Sequence, residues 1–390
     1  MATTTEARQG HDGRMSVGRL IRDLRLTLGW SQARLADELC EVSRYATVTR
    51  EDVSRWERGK RRPGPFWLRH LATVLEAPLH VLEGAKEGRR GFITAVAATT
   101  IAPIVASDLI ESGFAAAMRN GRPTIDDWQE KVSDFGTDYM SLGAAEIQKR
   151  LAGDLVVLQQ QLDDPRLWSV AARLMTVYGK TIPGADGSRA VRWYRMAAAA
   201  ADRSGEERVR VWVRGRAAIA LGYEGACLSI AETFADQALA ISDRPSLGRL
   251  NAVMAKAHVA ALRKNRRASL DLLEEGRRVF DVAGSPDQES DFAVPGWRMA
   301  IFSSLLLARL GDEHRASDAQ DLAVRTLPAS LPRFATHIEM HRGLMLARSG
   351  DRSGGVDYAR AALDKLPPER HSLTLRMLLA EIEGMVSASS

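Results

Sequence analysis

"TREDVSRWERGKRRP", residues Thr49–Pro63, combines the signals that begin and end a short helix. Thr49 and Asp52 have the spacing of a capping box, with Asp in place of the more usual Glu. Gly59 is a residue at which helices commonly end, and Pro63 and Pro65 prevent any continuation. The stretch therefore predicts a helix of about two turns between the capping residue and the glycine.

The two apolar residues of this helix fix its orientation. Val53 and Trp56 lie three residues apart, so both are expected on one buried side. Three basic residues, Lys60, Arg61 and Arg62, follow the helix end directly. A solvated charged helix needs no buried tryptophan, so the pattern favours a helix held in a core with a polar face turned outward.

Amphipathic segments precede and follow this helix. "VGRLIRDLRLTLGW" (Val17–Trp30) stops at Gly29, and "SQARLADELC" (Ser31–Cys40) begins with Ser31 as a predicted N-cap. "FWLRHLATVLEAP" (Phe66–Pro78) predicts a fourth helix. The apolar face of the first helix is predicted at Val17, Leu20, Ile21, Leu24 and Leu28. Two short capped helices separated by a turn have the layout of a helix-turn-helix unit.

The segments "LGWSQARLADEL", "TREDVSRWERGKRRPGP" and "LRHLATVL" together resemble the Cro/C1-type (XRE) helix-turn-helix domain over residues 15 to 80. The Ser-Gln opening of helix two, the Trp-Glu-x-Gly ending of helix three and the basic loop with proline match the family pattern. The loop Cys40–Thr49 departs from it, because it is longer than in compact members and has Cys40 where a turn glycine is usual.

The resemblance implies that the outward side of helix three reads bases in the major groove of DNA. An arginine there can donate two hydrogen bonds to guanine, a contact that discriminates bases by about 1–3 kcal/mol. Glu51 either accepts from cytosine or orients Arg55 on the helix surface. The predicted base-reading residues are Arg50, Glu51, Ser54 and Arg55.

The resemblance also implies phosphate contacts and one structural ion pair. The predicted phosphate contacts are Gln32, Arg34, Arg44, Lys60, Arg61 and Arg62. Such contacts position a protein on DNA without reading its sequence. In the family an acidic residue at the place of Glu57 pairs with an arginine of helix one, so Arg22 or Arg25 is the expected partner.

Composition limits the classes of protein. The 390 residues are 45% hydrophobic and 26% charged, as in soluble globular proteins, and the length favours two or more domains. The first 90 residues contain 17 basic and 12 acidic side chains and so account for the whole net charge of +5. A basic N-terminal domain attracts polyanions. Cys40 and Cys227 are too few for a disulfide framework or a zinc site, which favours a protein of the reducing cytoplasm. No cofactor or metal is expected.

The segment "RRGFITAVAATTIAPIVAS" (Arg89–Ser107) looks like a twin-arginine export signal. It lies far from the N-terminus, where targeting peptides are found. Its uncharged run, Gly91–Ser107, is also shorter than the ~20 residues that span a bilayer. A buried helix or a linker between domains is the preferred interpretation.

The remaining chain contains internal repeats. The segments Ala308–Pro328 and Ala347–Pro367 align 39 residues apart, and both share a Gly-Asp turn and a closing Leu-Pro. A third copy begins at Ala261. Further helices are predicted at Leu167–Lys180, Arg189–Arg203, Glu206–Gly222 and Leu228–Ser242, and the segment Ser107–Asp164 is expected to be helical as well.

Helix pairs that recur about every 40 residues resemble tetratricopeptide (TPR) repeats, although the period is longer and the first-helix signature is degenerate. The resemblance implies an α-solenoid whose concave face binds a peptide or a partner protein.

The C-terminal part offers few residues for catalysis. "HIEMH" (His337–His341) places two histidines on one helix face, but Ile338 occupies the position where a zincin has glutamate, so two surface histidines are expected. No nucleotide-binding loop or nucleophile elbow is found. Trp193, Trp212 and Trp297 are the candidate ligand-binding residues, with ordinary packing as the alternative. The protein is not expected to be an enzyme.

These observations predict an all-α protein, with an N-terminal helix-turn-helix domain followed by an α-solenoid of TPR-like helix pairs. The predicted parts are a disordered N-terminus (1–14), the helix-turn-helix domain (15–85), a helical linker (86–125), the solenoid (126–386) and a disordered tail (387–390).

The two resemblances together imply a regulator of the type found in actinobacteria and among the peptide-sensing regulators of Gram-positive bacteria. Its partners would be double-stranded DNA, a second copy of the chain, and a peptide or small-molecule effector, with no membrane. The alternative is a DNA-anchored scaffold whose solenoid recruits another protein and binds no small ligand.

Overall fold

The structure is a computed structural model and describes residues 17–27, 30–43, 48–75, 82, 123–182, 187–225 and 227–387. Every regular element in these ranges is helical, so the prediction of an all-α fold is confirmed. The chain divides into two compact units, Met1–Thr99 and Thr100–Ser390. Among the helices in these ranges, none combines the length and apolar character needed to cross a bilayer. The apolar run Gly91–Ser107 lies outside the described residues.

The N-terminal unit contains four helices in its described part. They are α1 (Val17–Thr27), α2 (Gln32–Ser43), α3 (Arg50–Glu57) and α4 (Pro65–Val74). Their apolar faces meet in one core, in which Val53 and Trp56 of α3 are buried as predicted. The helix-turn-helix layout of the N-terminal unit is therefore confirmed.

The predicted caps of this unit are present. The Thr49 side chain accepts from the Asp52 backbone N–H, and the Asp52 side chain accepts from the Thr49 backbone N–H, which completes the capping box. The Arg34 backbone N–H donates to Ser31 Oγ at 3.1 Å, so Ser31 caps α2. Gly59, just beyond α3, has a φ of +69°, a conformation that favours glycine.

The predicted end of α2 at Cys40 is wrong, because the helix continues to Ser43. Leu39 and Ser43 are four residues apart and both buried, so packing holds the extra turn in the helix. Cys40 Sγ donates to the Val48 carbonyl at 3.4 Å and so contacts the start of the next element. Residues 44–47, which include the predicted phosphate contact Arg44, lie outside the described residues.

The second unit consists of helices stacked in two rows. The helices are α5 (Ile125–Ser141), α6 (Ala144–Gln159), α7 (Leu167–Thr181), α8 (Gly187–Ser204), α9 (Glu207–Glu224), α10 (Leu228–Ile241), α11 (Leu247–Leu262), α12 (Arg266–Ala283), α13 (Gly296–Leu310), α14 (Glu313–Thr326), α15 (Pro332–Arg348), α16 (Arg352–Asp364) and α17 (Leu373–Ser387), with a 3₁₀ turn at Pro368–Arg370. The inner row is α7, α9, α11, α13, α15 and α17, and the helices between them form the outer row. This arrangement confirms an α-solenoid.

The predicted repeats coincide with the helix pairs. Gly311 and Gly350 follow α13 and α15 with φ values of +69° and +115°. Asp312 and Asp351 come next as the N-cap residues of α14 and α16. Glycine tolerates this backbone conformation and aspartate favours a helix start, so the repeated Gly-Asp pair encodes the turn. The equivalent turn before α12 has Lys264 in the glycine position, with a φ of +62°.

The inner side of the solenoid is filled with side chains, whereas the sequence suggested an open concave face. Tyr223 of α9 lies 3.1 Å from His341 of α15, measured from the hydroxyl to Nε2. Thr374 of α17 donates to Glu224 of α9 at 2.9 Å. The inner row therefore curves until its last two members contact α9, and α13 is buried along almost its whole length.

Candidate functional site

A buried ion pair fixes α3 against α1. Arg25 donates from Nε to Glu57 Oε1 at 2.6 Å and from Nη2 to Oε2 at 2.9 Å. Its Nη1 donates to the Trp30 carbonyl at 2.6 Å. The two side chains are 7% and 2% exposed. The sequence left Arg22 and Arg25 as alternatives for this pair, and the structure selects Arg25 because Arg22 is exposed.

The opposite side of α3 faces outward. Val53, Trp56 and Glu57 are buried, whereas Arg50, Glu51 and Arg55 are exposed and Ser54 is partly exposed. Asp52 is partly exposed. Its side chain completes the capping box, and its Oδ1 lies 3.6 Å from Arg55 Nη1. The four predicted base-reading residues therefore lie on the part of α3 that is not committed to the core.

Basic side chains surround this exposed face. Lys60, Arg61 and Arg62 are exposed after the Gly59 turn, and Arg61 Nη1 lies 3.8 Å from Asp52 Oδ1. Arg34 is exposed at the start of α2, with its guanidinium 4.9 Å from the Trp30 ring. Arg58, which is not among the predicted DNA contacts, is exposed at the end of α3 and donates from Nε to the Ser54 carbonyl.

Gln32 has a structural contact in addition to its predicted role. Its Nε2 donates to Glu57 Oε2 at 2.7 Å, so the glutamate that binds Arg25 also binds the first residue of α2. Gln32 remains partly exposed. Glu57 thus connects α1, α2 and α3, and the sequence indicated only the arginine contact.

The second unit contains a buried carboxylate with three cationic neighbours, which the sequence analysis did not predict. Asp291 lies in the loop before α13 and its side chain is fully buried. Its oxygens accept from Lys180 Nζ at 2.5 Å, from Arg216 Nη2 at 2.6 Å and from Arg298 Nη2 at 2.8 Å. Burial opposes ionisation, but Arg216, Lys180 and Arg298 hold the pKa of the Asp291 carboxyl well below its usual range.

The cationic charge of this cluster exceeds its anionic charge. Burial and the neighbouring Arg216 lower the pKa of the Lys180 ammonium well below its usual range, whereas its ion pair with Asp291 acts in the opposite direction. Arg216 Nε has no hydrogen-bond partner among the described residues. The guanidinium groups of Arg216 and Arg298 alone bring two positive charges to one carboxylate, so Asp291 neutralises only part of the charge around it.

A cavity of about 40 Å³ adjoins this cluster, at the place where the last helix of the solenoid meets its first helices. Its charged lining residues are Lys180, Glu224, Arg333, Glu369, Arg370 and Arg376. Arg333 is only 8% exposed and donates from Nη2 to the Tyr139 carbonyl at 2.6 Å. Burial raises the pKa of the Glu224 carboxyl to about 7, despite the hydrogen bond from Thr374 and the nearby Lys180 and Arg216.

The prediction that His337 and His341 are surface residues is wrong. His337 is 6% exposed and His341 is fully buried, because α15 has neighbours on almost every side. Their rings meet the Tyr223 hydroxyl, and the Ser304 hydroxyl lies 2.9 Å from His341 Nδ1. Burial lowers the pKa of His337 to about 3, with contributions from nearby arginines, and lowers that of His341 well below its usual range.

The three candidate tryptophans do not converge on one site. Trp193 packs on Tyr178, Trp212 on Phe292 and Trp297 on Phe334, with ring centroids 4.4, 5.1 and 5.0 Å apart. Trp297 is fully buried, and its indole N–H donates to the Gln288 carbonyl. None of the three tryptophans lines the cavity beside Arg333. Among the described residues, no group of three or more His, Cys, Asp or Glu side chains is arranged to hold a metal ion.

Comparison with known proteins assigns the N-terminal unit. The family model of a helix-turn-helix domain matches residues 16–83. No curated protein matches the chain significantly. Among solved structures, Bacillus thuringiensis PlcR in complex with the peptide PapR7 and DNA aligns with 80% of this chain and 94% of its own, at 13% identity and a TM-score of 0.28.

Proposed function

We propose that the protein is a cytoplasmic, sequence-specific DNA-binding regulator of the XRE type, which binds an inverted-repeat operator as a homodimer. The observation that carries the proposal is the double anchoring of α3. Its inner side is held by Val53, Trp56 and the Arg25–Glu57 pair, and its outer side presents Arg50 and Arg55. A helix held in this way, with arginine donors exposed on its outer face, suits the major groove.

In this proposal the base-reading residues and the phosphate-contacting residues have different tasks. Arg50, Glu51, Ser54 and Arg55 contact base edges from the first turns of α3. Lys60, Arg61 and Arg62 contact phosphates next to the groove, joined by Arg34 and Gln32 at the start of α2. Phosphate contacts supply most of the affinity and its salt dependence, and base contacts supply the specificity.

We further propose that the helical-repeat unit, of TPR type, receives a signal and acts by binding rather than by catalysis. A peptide or small molecule that binds one conformation of this unit more tightly shifts the equilibrium toward it. The shift cannot exceed the difference between the two affinities. The competing proposal, a DNA-anchored scaffold, requires a protein partner that co-purifies at fixed stoichiometry.

The first experiment is selection of genomic fragments by the full-length protein. The Arg50→Ala/Arg55→Ala variant is compared with wild type and with an Arg325→Ala/Arg348→Ala control, which removes the same charge from exposed positions of the helical repeats. We expect wild type and control to enrich one inverted repeat and the test variant to enrich none. Equal enrichment by all three proteins would reject base reading by α3.

A further inference from the structure

The helical-repeat unit contains an interior site with surplus positive charge. Six cationic side chains line the cavity or belong to the Asp291 cluster beside it: Lys180, Arg216, Arg298, Arg333, Arg370 and Arg376. The carboxyl groups are Glu224, Asp291 and Glu369. Buried charge of one sign is costly unless a partner compensates it, so this site favours an added anion.

Two of the cations have donors available for such an anion. An ammonium group has three N–H donors, and Lys180 directs two contacts to the oxygens of Asp291. A guanidinium group has five, and among the described residues Arg333 has no carboxylate partner, its hydrogen bond being to the Tyr139 carbonyl. Both side chains line the cavity. Hydrogen bonds to a bound oxyanion would therefore be charge-assisted.

The size of the cavity restricts the ligand. One water molecule needs about 10–15 Å³ of cavity volume. The cavity of about 40 Å³ therefore accommodates roughly three waters. This volume suits one carboxylate or phosphate group and not a whole peptide. Arg370 and Arg376 are exposed and mark the side of the cavity that faces solvent. A larger molecule can therefore insert its anionic group while the rest stays outside.

We propose that this cavity binds a small oxyanion, the carboxylate or phosphate group of an effector, between Lys180 Nζ and the Arg333 guanidinium. The proposal rests on the regulator function proposed above, in which the helical repeats receive a signal. The site joins α7, α9, α15 and α17, so a bound anion strengthens the closure between the first and last inner helices of the unit.

Glu224 makes the site sensitive to pH. Its carboxyl group lines the same cavity and accepts from Thr374 of α17. Lys180 of α7 and Arg216 of α9 are its nearest charged neighbours. The other charged or titratable side chains that line the cavity are Tyr139 of α5, Arg333 of α15, Glu369, Arg370 and His371 between α16 and α17, and Arg376 of α17. Because burial raises the pKa of Glu224 to about 7, the carboxyl loses its charge as the pH falls through neutrality. An anion then meets less repulsion, so its affinity increases as the pH decreases.

The test is titration calorimetry of the full-length protein with sodium sulfate and with sodium acetate. Sulfate is tetrahedral like a phosphate group, and acetate contains the planar carboxylate. Sodium chloride at the same ionic strength is the blank. We expect saturable binding of at least one probe and affinity at least about tenfold lower in Arg333→Gln. Arg333→Lys, which keeps the charge, should restore part of the loss. Arg348→Gln, at an exposed position of the same helix, should bind like wild type.

Glu224→Gln provides an independent test that keeps the acceptor for Thr374. We expect it to bind the probe about tenfold more tightly than wild type at about pH 8, and equally at about pH 6, where wild-type Glu224 is protonated. Two results would overturn the proposal. One is the absence of saturable binding; the other is an affinity equal to that of wild type in both Arg333→Gln and Glu224→Gln at every pH. If Arg333→Gln does not fold, the Glu224→Gln comparison still decides.

Failure of the site is distinguishable from failure of the regulator function. The same preparations are assayed for operator selection. DNA selection without anion binding rejects the site and leaves the DNA-binding function in place. Anion binding without DNA selection rejects the regulator and keeps the site.

Discussion

The carboxylate of Glu57 accepts two hydrogen bonds from the guanidinium of Arg25, 32 residues earlier in the chain, in a pair that is almost completely buried. A two-point contact between a planar guanidinium and a carboxylate fixes direction as well as distance. It therefore sets the rotation of α3 about its own axis, and with it the set of side chains that face outward.

Glu57→Ala is expected to destabilise the N-terminal unit by about 3–5 kcal/mol, because it leaves Arg25 buried without its partner. The loss is measured by hydrogen exchange of amides in α1 and α3 of the full-length protein. Glu51→Ala, at an exposed position of the same helix, is the control and should cost less than about 0.5 kcal/mol. Unchanged protection in Glu57→Ala would show that the apolar core alone positions α3.

The two predicted classes of DNA contact should respond differently to salt. Lys60→Ala is expected to weaken binding to all sequences alike and to reduce the slope of log affinity against log salt by about 1. Arg55→Ala should cost about 1–3 kcal/mol on the preferred operator and relax selection at one base pair. Binding assays over a salt series separate the two. A Lys60→Ala protein with altered base preference would contradict the assignment.

The buried histidines should make the helical repeats sensitive to acid. Their pKa values are lowered in the folded protein, to about 3 for His337, whereas the unfolded chain binds protons below about pH 6.5. The contribution of the neutral histidines to the free energy of unfolding is therefore complete above about pH 6.5 and is lost as the pH falls toward about 3. At pH 5 each such histidine reduces the free energy of unfolding by about 2 kcal/mol.

Urea unfolding at pH 7 and at pH 5 measures this effect. His337→Gln should lose less stability between the two pH values than wild type. The control is His314→Gln, since His314 is exposed on α14 and its replacement should leave the pH dependence unchanged. Equal pH dependence in all three proteins would contradict the assignment to the buried histidines.

Lys264→Gly is expected to stabilise the helical repeats by about 1 kcal/mol. Lys264 has a φ of +62°, which side-chain-bearing residues adopt at a cost, and the equivalent turns have Gly311 and Gly350. The urea midpoint of the helical signal should rise without a change in slope. The reverse change, Gly311→Lys, should lower the midpoint, and an unchanged midpoint in both variants would contradict the explanation.

The sequence predicted the local elements well because their signals lie within a few residues. The Thr49–Asp52 capping box, the Ser31 cap and the Gly-Asp turns each need only the chemistry of adjacent residues. The end of α2 was predicted too early, because the buried position of Ser43 depends on packing rather than on its own weak helix preference.

The sequence by itself determined the all-α class, the helix-turn-helix unit and the helix pairs, because periodicity and caps are properties of short segments. Only the tertiary structure decided which side chains share the interior of the repeats. Lys180 and Asp291 are 111 residues apart, and Tyr223 and His341 are 118 apart. Such contacts depend on the angles between successive helix pairs, which add up along the solenoid. No single helix pair contains a sequence pattern from which this sum can be predicted.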